Sequence, residues 1–116
     1  MTVTIYHNPK CSKSRQALEL IRAKGVEPVI VEYLKTGWTL AGLNALFAMA
    51  GIGPRDALRM KQPPAPDLRL FEADDATILA AMVDHPVLVE RPIVVVGDRA
   101  AICRPPELVH DLLDKG

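Results

Sequence analysis

Apolar and polar positions change their period several times along the chain, and each change marks an element. Val3 and Ile5 alternate with threonines over Thr2 to Tyr6, a period of two that predicts a strand, and His7-Asn8-Pro9 ends it in a turn. From Ser12 the spacing becomes helical, with Ala17, Leu18, Leu20 and Ile21 apolar and Lys24-Gly25 supplying a basic last turn and a glycine stop. Pro28-Val29-Ile30-Val31-Glu32-Tyr33 predicts a second strand, whose nearly continuous apolarity suits a strand covered on both faces. Strand, helix and strand in about thirty residues make a right-handed βαβ unit.

The middle of the chain reads as helices. Thr39 is an N-cap for Leu40, Leu43, Leu46, Phe47 and Ala50, which keep helical spacing up to Gly51. Gly53-Pro54 opens a second short helix carrying Arg55, Leu58 and Arg59. Gln62-Pro63-Pro64-Ala65-Pro66 excludes helix and central strand and predicts an exposed loop. Asp74-Asp75 precede a third helix built on Ile78, Leu79, Met82 and Val83, which His85-Pro86 ends. Ile93 to Val96, Gly97-Asp98 and Ala100 to Cys103 then read as a β-hairpin, and Pro105-Pro106-Glu107 opens a last helix with Leu108, Val109, Leu112 and Leu113 on one face. The summed order matches an α/β, thioredoxin-like fold with a helical insertion between a βαβ half and a ββα half.

The chain has 116 residues, enough for one core and too few for two, so a single domain over 1–116 is expected. Fourteen basic and fourteen acidic side chains cancel, which removes any global pull toward nucleic acid or an anionic membrane. Neither a signal-like N-terminus nor an apolar run of membrane length is present, and a cytoplasmic location is expected. In a reducing compartment a structural disulfide between Cys11 and Cys103 is not expected, so each thiol needs its own account.

Cys11 lies where a strand ends and a helix starts, among Lys10, Lys13 and Arg15. The free N–H groups and partial positive charge of a helix N-terminus favour an anion and lower a thiol pKa. A thiol of pKa near 8.5 is mostly protonated at neutral pH, and lowering it by about two units, roughly 2.7 kcal/mol, makes thiolate the main form. The same field would hold an incoming oxyanion. Cys103 sits among apolar neighbours and reads as packing. Position 14 is serine, so no Cys-x-x-Cys exists and a resolving thiol must come from outside. His7 suits tuning Cys11 or carrying protons, and suits equally well a turn residue satisfied by backbone. His85 and His110 have no ligand partners at metal spacing, and no metal is expected. Arg59, Arg91 and Arg104 offer guanidinium forks suited to tetrahedral oxyanions, although on sequence alone each reads as a solvated surface charge. Arg91-Pro92 before a strand suggests an edge, a turn or a cis bond.

These residues resemble the ArsC family, the arsenate reductases that use glutathione and glutaredoxin. The resemblance covers roughly residues 3–114 and rests on five ordered blocks. They are Ile5-Tyr6-His7-Asn8-Pro9-x-Cys11-x-x-Ser14-Arg15, Gly25-x-Glu27-Pro28, Arg55-x-x-Leu58-Arg59, Arg91-Pro92-Ile93-Val94-Val95 and Arg104-Pro105-x-Glu107. It implies that Cys11 is the thiolate that attacks arsenate and that His7 helps keep it ionised. It implies further that Arg59, Arg91, Arg104 and Ser14 cradle the oxyanion, with Pro92 as the cis proline beside the site. Glutathione is the implied cosubstrate, with no tightly bound cofactor, and glutaredoxin the implied partner. The stretch from Lys61 to Leu70, with its three prolines, departs from the family pattern. Two other readings stand beside this one: a paralogue with the same site and another substrate, and an Spx-like adaptor of RNA polymerase. Ser14 counts against the adaptor, because proteins of that kind usually carry a second cysteine there.

Overall fold

The computed structural model describes residues 2–115. The chain divides into two compact units, one built from the residues up to Thr36 together with those from Arg91 onward, the other Gly37–Glu90.

The first unit holds the sheet. Its strands are β1 (Val3–Tyr6), β2 (Val29–Val31), β3 (Ile93–Val96) and β4 (Arg99–Ile102), in the order β2-β1-β3-β4. β1 runs parallel to β2 and antiparallel to β3, and β3 is antiparallel to β4. The parallel pair is joined by α1 (Ser12–Ala23), as the βαβ reading requires. Gly97, at φ 63°, makes the left-handed step that closes the hairpin after Val96. With α5 (Val109–Lys115), which follows a 3₁₀ turn at Pro106–Leu108, this is a thioredoxin-like topology carrying extra helices between its halves.

One face of the sheet builds the core. Val3, Ile5, Val94 and Val96 pack with Ala17 and Ile21 of α1 and Val109 and Leu112 of α5, and Cys103 lies in the same cluster. The alternation of β1 is therefore real, since Val3 and Ile5 are buried and Thr4 and Tyr6 only partly so.

Two expectations need correction in this unit. The second strand is the sheet's edge, three residues long, with Val29 55% and Ile30 38% exposed, whereas its β-branched run had suggested cover on both faces. Tyr33 lies outside that strand, at the start of a one-turn helix, α2 (Tyr33–Thr36). In the last helical segment Leu108 is exposed, because it belongs to the 3₁₀ turn, whose phase differs from that of the α-helix behind it.

The second unit is helical. α3 (Leu40–Ala50) is capped by Thr39, whose hydroxyl accepts from the Gly42 N–H at 3.0 Å, and Gly51 ends it in the left-handed conformation. α4 (Asp75–Asp84) is capped by Asp74 through the Thr77 N–H and buries Ile78, Leu79 and Met82. The short helix at Gly53-Pro54 covers only Pro54–Ala57 as a 3₁₀ turn. Leu58 instead forms a bridge with Val89, flanked by bonds from Arg59 N–H to Leu88 O and from Glu90 N–H to Ala57 O. The proline-rich stretch is a succession of turns, mostly exposed and anchored by buried Ala65 and Leu70.

Ile5 is fully buried at the centre of the first unit's core. Ile5→Ala should lower stability by about 2–5 kcal/mol, read as a reduced urea midpoint at unchanged slope.

Candidate active site

The site is assembled by strand register. β1 pairs Tyr6 with Ile93, so the turn that follows β1 emerges beside the residues that precede β3. β3 pairs Ile93 with Ile102, and the hairpin continues one step further, with the Cys103 N–H donating to Pro92 O at 2.8 Å. Arg91 and Arg104 then face each other, and Arg104 Nη1 donates to Arg91 O at 3.2 Å. Three chain segments thus converge at one end of the sheet. The peptide bonds Arg91–Pro92 and Arg104–Pro105 are both cis, which resolves the alternatives left open for Arg91-Pro92.

Cys11 occupies the N-cap position of α1, with extended backbone, at the end of the helix where the first N–H groups have no intrahelical partner. Its own N–H donates to Asn8 O at 3.0 Å, which closes the turn. It is 9% exposed, so the sulfur is sheltered and still reachable. Burial alone would raise the thiol pKa, but the Ser14 N–H, the positive charge and hydrogen bond of Arg91, and the Lys13 N–H together hold it below the ordinary thiol value. Cys103 shows the opposite balance. It is fully buried with no compensating donor, and its pKa is pushed up to about 12. Cys103 is a core residue in this fold.

His7 and Ser14 are bonded to each other across the turn that carries Cys11. His7 Nδ1 and Ser14 Oγ share a 2.6 Å hydrogen bond, and the same hydroxyl accepts from the Asn8 N–H at 3.1 Å. Both side chains are buried, Ser14 completely. Burial is the largest influence on His7 and lowers its pKa; Glu32 pulls it up, and Arg22 and Arg15 push it down. The imidazole is therefore neutral at physiological pH. Ser14 has its hydroxyl committed to His7 and Asn8, so the atom it offers to a thiolate or an anion is its backbone N–H. Sequence spacing held no sign of the His7–Ser14 contact, which spans the turn between two elements.

Arg59 lies in the 37–90 unit. There its Nη1 donates to Val87 O at 3.2 Å, and its Nε is 3.6 Å from Glu90 Oε1, an ion pair about one-fifth exposed. Pro92 is buried and its carbonyl ties the two ends of the hairpin together. The Arg91–Arg104 pairing had a signal that the sequence reading did not use. Counting outward from the Gly97-Asp98 turn in antiparallel register sets 91 opposite 104. Among the described residues no group of three or more His, Cys, Asp or Glu side chains is placed to hold a metal ion.

A low-pKa cysteine at the mouth of the first helix of a thioredoxin-like sheet, beside a cis proline, defines a thiol-dependent oxidoreductase. The ArsC family model matches residues 6–112, and the chain belongs to the ArsC family. It is 51% identical over 114 residues to the arsenate reductase ArsI2 of Synechocystis, an alignment covering 97% of this chain and 81% of the relative. It is 43% identical to the uncharacterised protein YfgD of Escherichia coli K12, covering 96% of each chain. Among solved structures, the arsenate reductase from Vibrio cholerae superposes with a TM-score of 0.93 at 41% identity, covering 97% of this chain and 98% of that one.

Two measurements test this electrostatic account. Alkylation of the folded protein by iodoacetamide should modify Cys11 with a pH midpoint below that of a free thiol. Arg91→Gln should move that midpoint upward, while Cys103 reacts only in denaturant. His7 binds a proton less readily folded than unfolded, so below the unfolded pKa of about 6.5 the unfolded chain gains protons that the native state refuses. Stability should therefore fall as pH drops through that value and recover above it. Urea midpoints measured at pH 7.5 and pH 5.5 should differ more for the wild type than for His7→Gln, each variant being compared with itself.

Proposed function

We propose that this chain reduces arsenate to arsenite through Cys11, with glutathione as cosubstrate and glutaredoxin as the partner that regenerates the thiol. The observation that carries the reading is Cys11 at the N-cap of α1, at the end of the sheet where the hairpin sets Arg91 and Arg104 together, in a chain 51% identical to an arsenate reductase of Synechocystis. A tetrahedral oxyanion suits the same donors that stabilise the thiolate.

In the proposed cycle the Cys11 sulfur forms a bond to arsenic while an As–O bond breaks, and the departing oxygen leaves as water. A glutathione thiol then supplies the second sulfur. Arsenic(V) gains two electrons and becomes arsenic(III), and Cys11 and glutathione are oxidised together to a mixed disulfide. Arsenite is released, and a glutaredoxin thiol takes the glutathione from Cys11 by disulfide exchange. Arg91 and Arg104 neutralise the oxyanion as it approaches, and the family resemblance assigns the same role to Arg59. The Lys13 and Ser14 N–H groups hold charge on the sulfur. His7 acts through Ser14, keeping the Ser14 N–H directed at Cys11, and Pro92 fixes the turn that carries Arg91.

A second reading keeps the site and changes the substrate. The arsenate reductase of Escherichia coli K12 and the uncharacterised YfgD of the same organism are each 43% identical to this chain, so overall identity does not choose between arsenate and another oxidant.

The deciding assay is arsenate-dependent NADPH oxidation in the presence of glutathione, glutaredoxin and glutathione reductase. Wild type and Cys103→Ser should turn over, and Cys11→Ser should lose at least about a thousandfold, the scale on which removing a nucleophile acts. A folded wild type with a reactive Cys11 and no arsenate turnover transfers the assignment to the paralogue with another substrate.

A further inference from the structure

Beside the catalytic turn runs a groove of about 200 Å³ that the proposed chemistry does not yet use. One wall is the turn itself, with His7, Pro9 and Lys10, and the other is the segment after β2, with Glu32, Leu34 and Lys35. The wall is next to the nucleophile in the chain, since Lys10 precedes Cys11 and Asn8, whose carbonyl accepts from the Cys11 N–H, also lines the groove. Leu34 is 45% exposed and, with Pro9, gives the groove an apolar surface. Its charges are two lysines and one glutamate. Lys35 and Glu32 lie 3.5 Å apart across one helical turn, and Lys10 is exposed on the opposite wall.

We infer that this groove is the docking site for a small zwitterionic peptide thiol, the glutathione of the cycle proposed above, on which reading the inference rests. The charge pattern of that peptide is the complement of the groove's: two carboxylates for Lys10 and Lys35, one ammonium for Glu32. A net charge of −1 on the peptide meets +1 on the groove. Its volume is below that of a typical drug-sized pocket, which suits one arm of an extended tripeptide while the thiol reaches past the turn to Cys11. An oxyanion alone would have no use for Glu32. With serine at position 14 the second sulfur of the proposed cycle comes from outside the Cys11 turn, and a site beside that turn would hold the thiol that carries it.

Two readouts test the groove separately from the reaction. The first is the KM for glutathione. Lys35→Gln should raise it about fivefold and the Lys10→Gln, Lys35→Gln double variant about twentyfold, the scale of one exposed ion pair each, with the Lys35→Gln KM for arsenate unchanged. The second is an NMR titration of the wild type with S-methylglutathione, which cannot react. The amides of Glu32, Leu34 and Lys35 should shift and saturate, and the diethyl ester of the same compound should bind more weakly. The inference is overturned by an unchanged glutathione KM in the double variant, by equal binding of the ester, or by a rise confined to the KM for glutaredoxin, which would give the groove to the protein partner. A wild type that does not reduce arsenate sinks the proposed function, and the titration alone then decides the groove.

Discussion

The antiparallel pairing of β1 with β3 is the constraint from which the rest of the site follows. Each strand delivers one half of the chemistry at the same end of the sheet: β1 runs into the Cys11 turn, and β3 starts from Arg91-Pro92. A slip of one residue in this ladder would turn Val3 and Ile5 out of the core, so burial enforces the register. The energy that fixes the position of Arg91 relative to Cys11 is therefore the hydrophobic energy of Val3, Ile5, Val94 and Val96. β4 extends the same logic by one strand, and the hairpin brings Arg104 to Arg91 with no contact of its own having to specify the pair. A charged cluster is held by an apolar one.

Within that frame the two cysteines show how local donors decide reactivity. Both are buried, and burial pushes both pKa values up. At Cys103 nothing opposes it, and at Cys11 two backbone N–H groups and a guanidinium reverse the sign. His7 has a structural connection to the Cys11 turn. Bonded to Ser14 Oγ, the imidazole holds the first turn of α1 against the end of β1. That bond and the Asn8 N–H give the buried hydroxyl two partners, so the backbone around Cys11 is braced from below. Preorganised N–H groups then act on the sulfur without having to reorient.

How much of this could be read from the residues differs from element to element. The strand, turn and helix around Cys11 were legible because period two gives way to period 3.6 at a turn residue, and the hairpin because Gly97-Asp98 separates two apolar runs. The exposure of β2 was not. Val29-Ile30-Val31 satisfies the composition of a central strand equally well, and whether a strand is central or peripheral is a property of the strand order. Leu108 misled for a related reason, since a helical face was projected through a 3₁₀ turn that shifts the phase. The arginines look scattered in the chain because their proximity is encoded in pairing. Once the hairpin is granted, Arg91 and Arg104 follow by counting, while Arg59 belongs to the other unit, where it stands next to the isolated bridge between Leu58 and Val89, a pairing no turn in the sequence announces.

Position 14 carries a consequence for the whole redox design. A second thiol there would make the turn self-sufficient in electrons, but the serine that occupies it is completely buried and bonded on two sides. In the proposed cycle Cys11 supplies one of the two sulfurs that a two-electron reduction consumes, and the other arrives as an external thiol. The floor of the turn is closed by His7 and Ser14, whereas its rim, Pro9 and Lys10, is exposed. The groove proposed for the thiol opens on that rim, and on that proposal a site that takes its oxidant by positive charge reads its reductant through a different pattern, one that includes a negative group. Glu32, set against His7 on one side and Lys35 on the other, is the acidic side chain in that position.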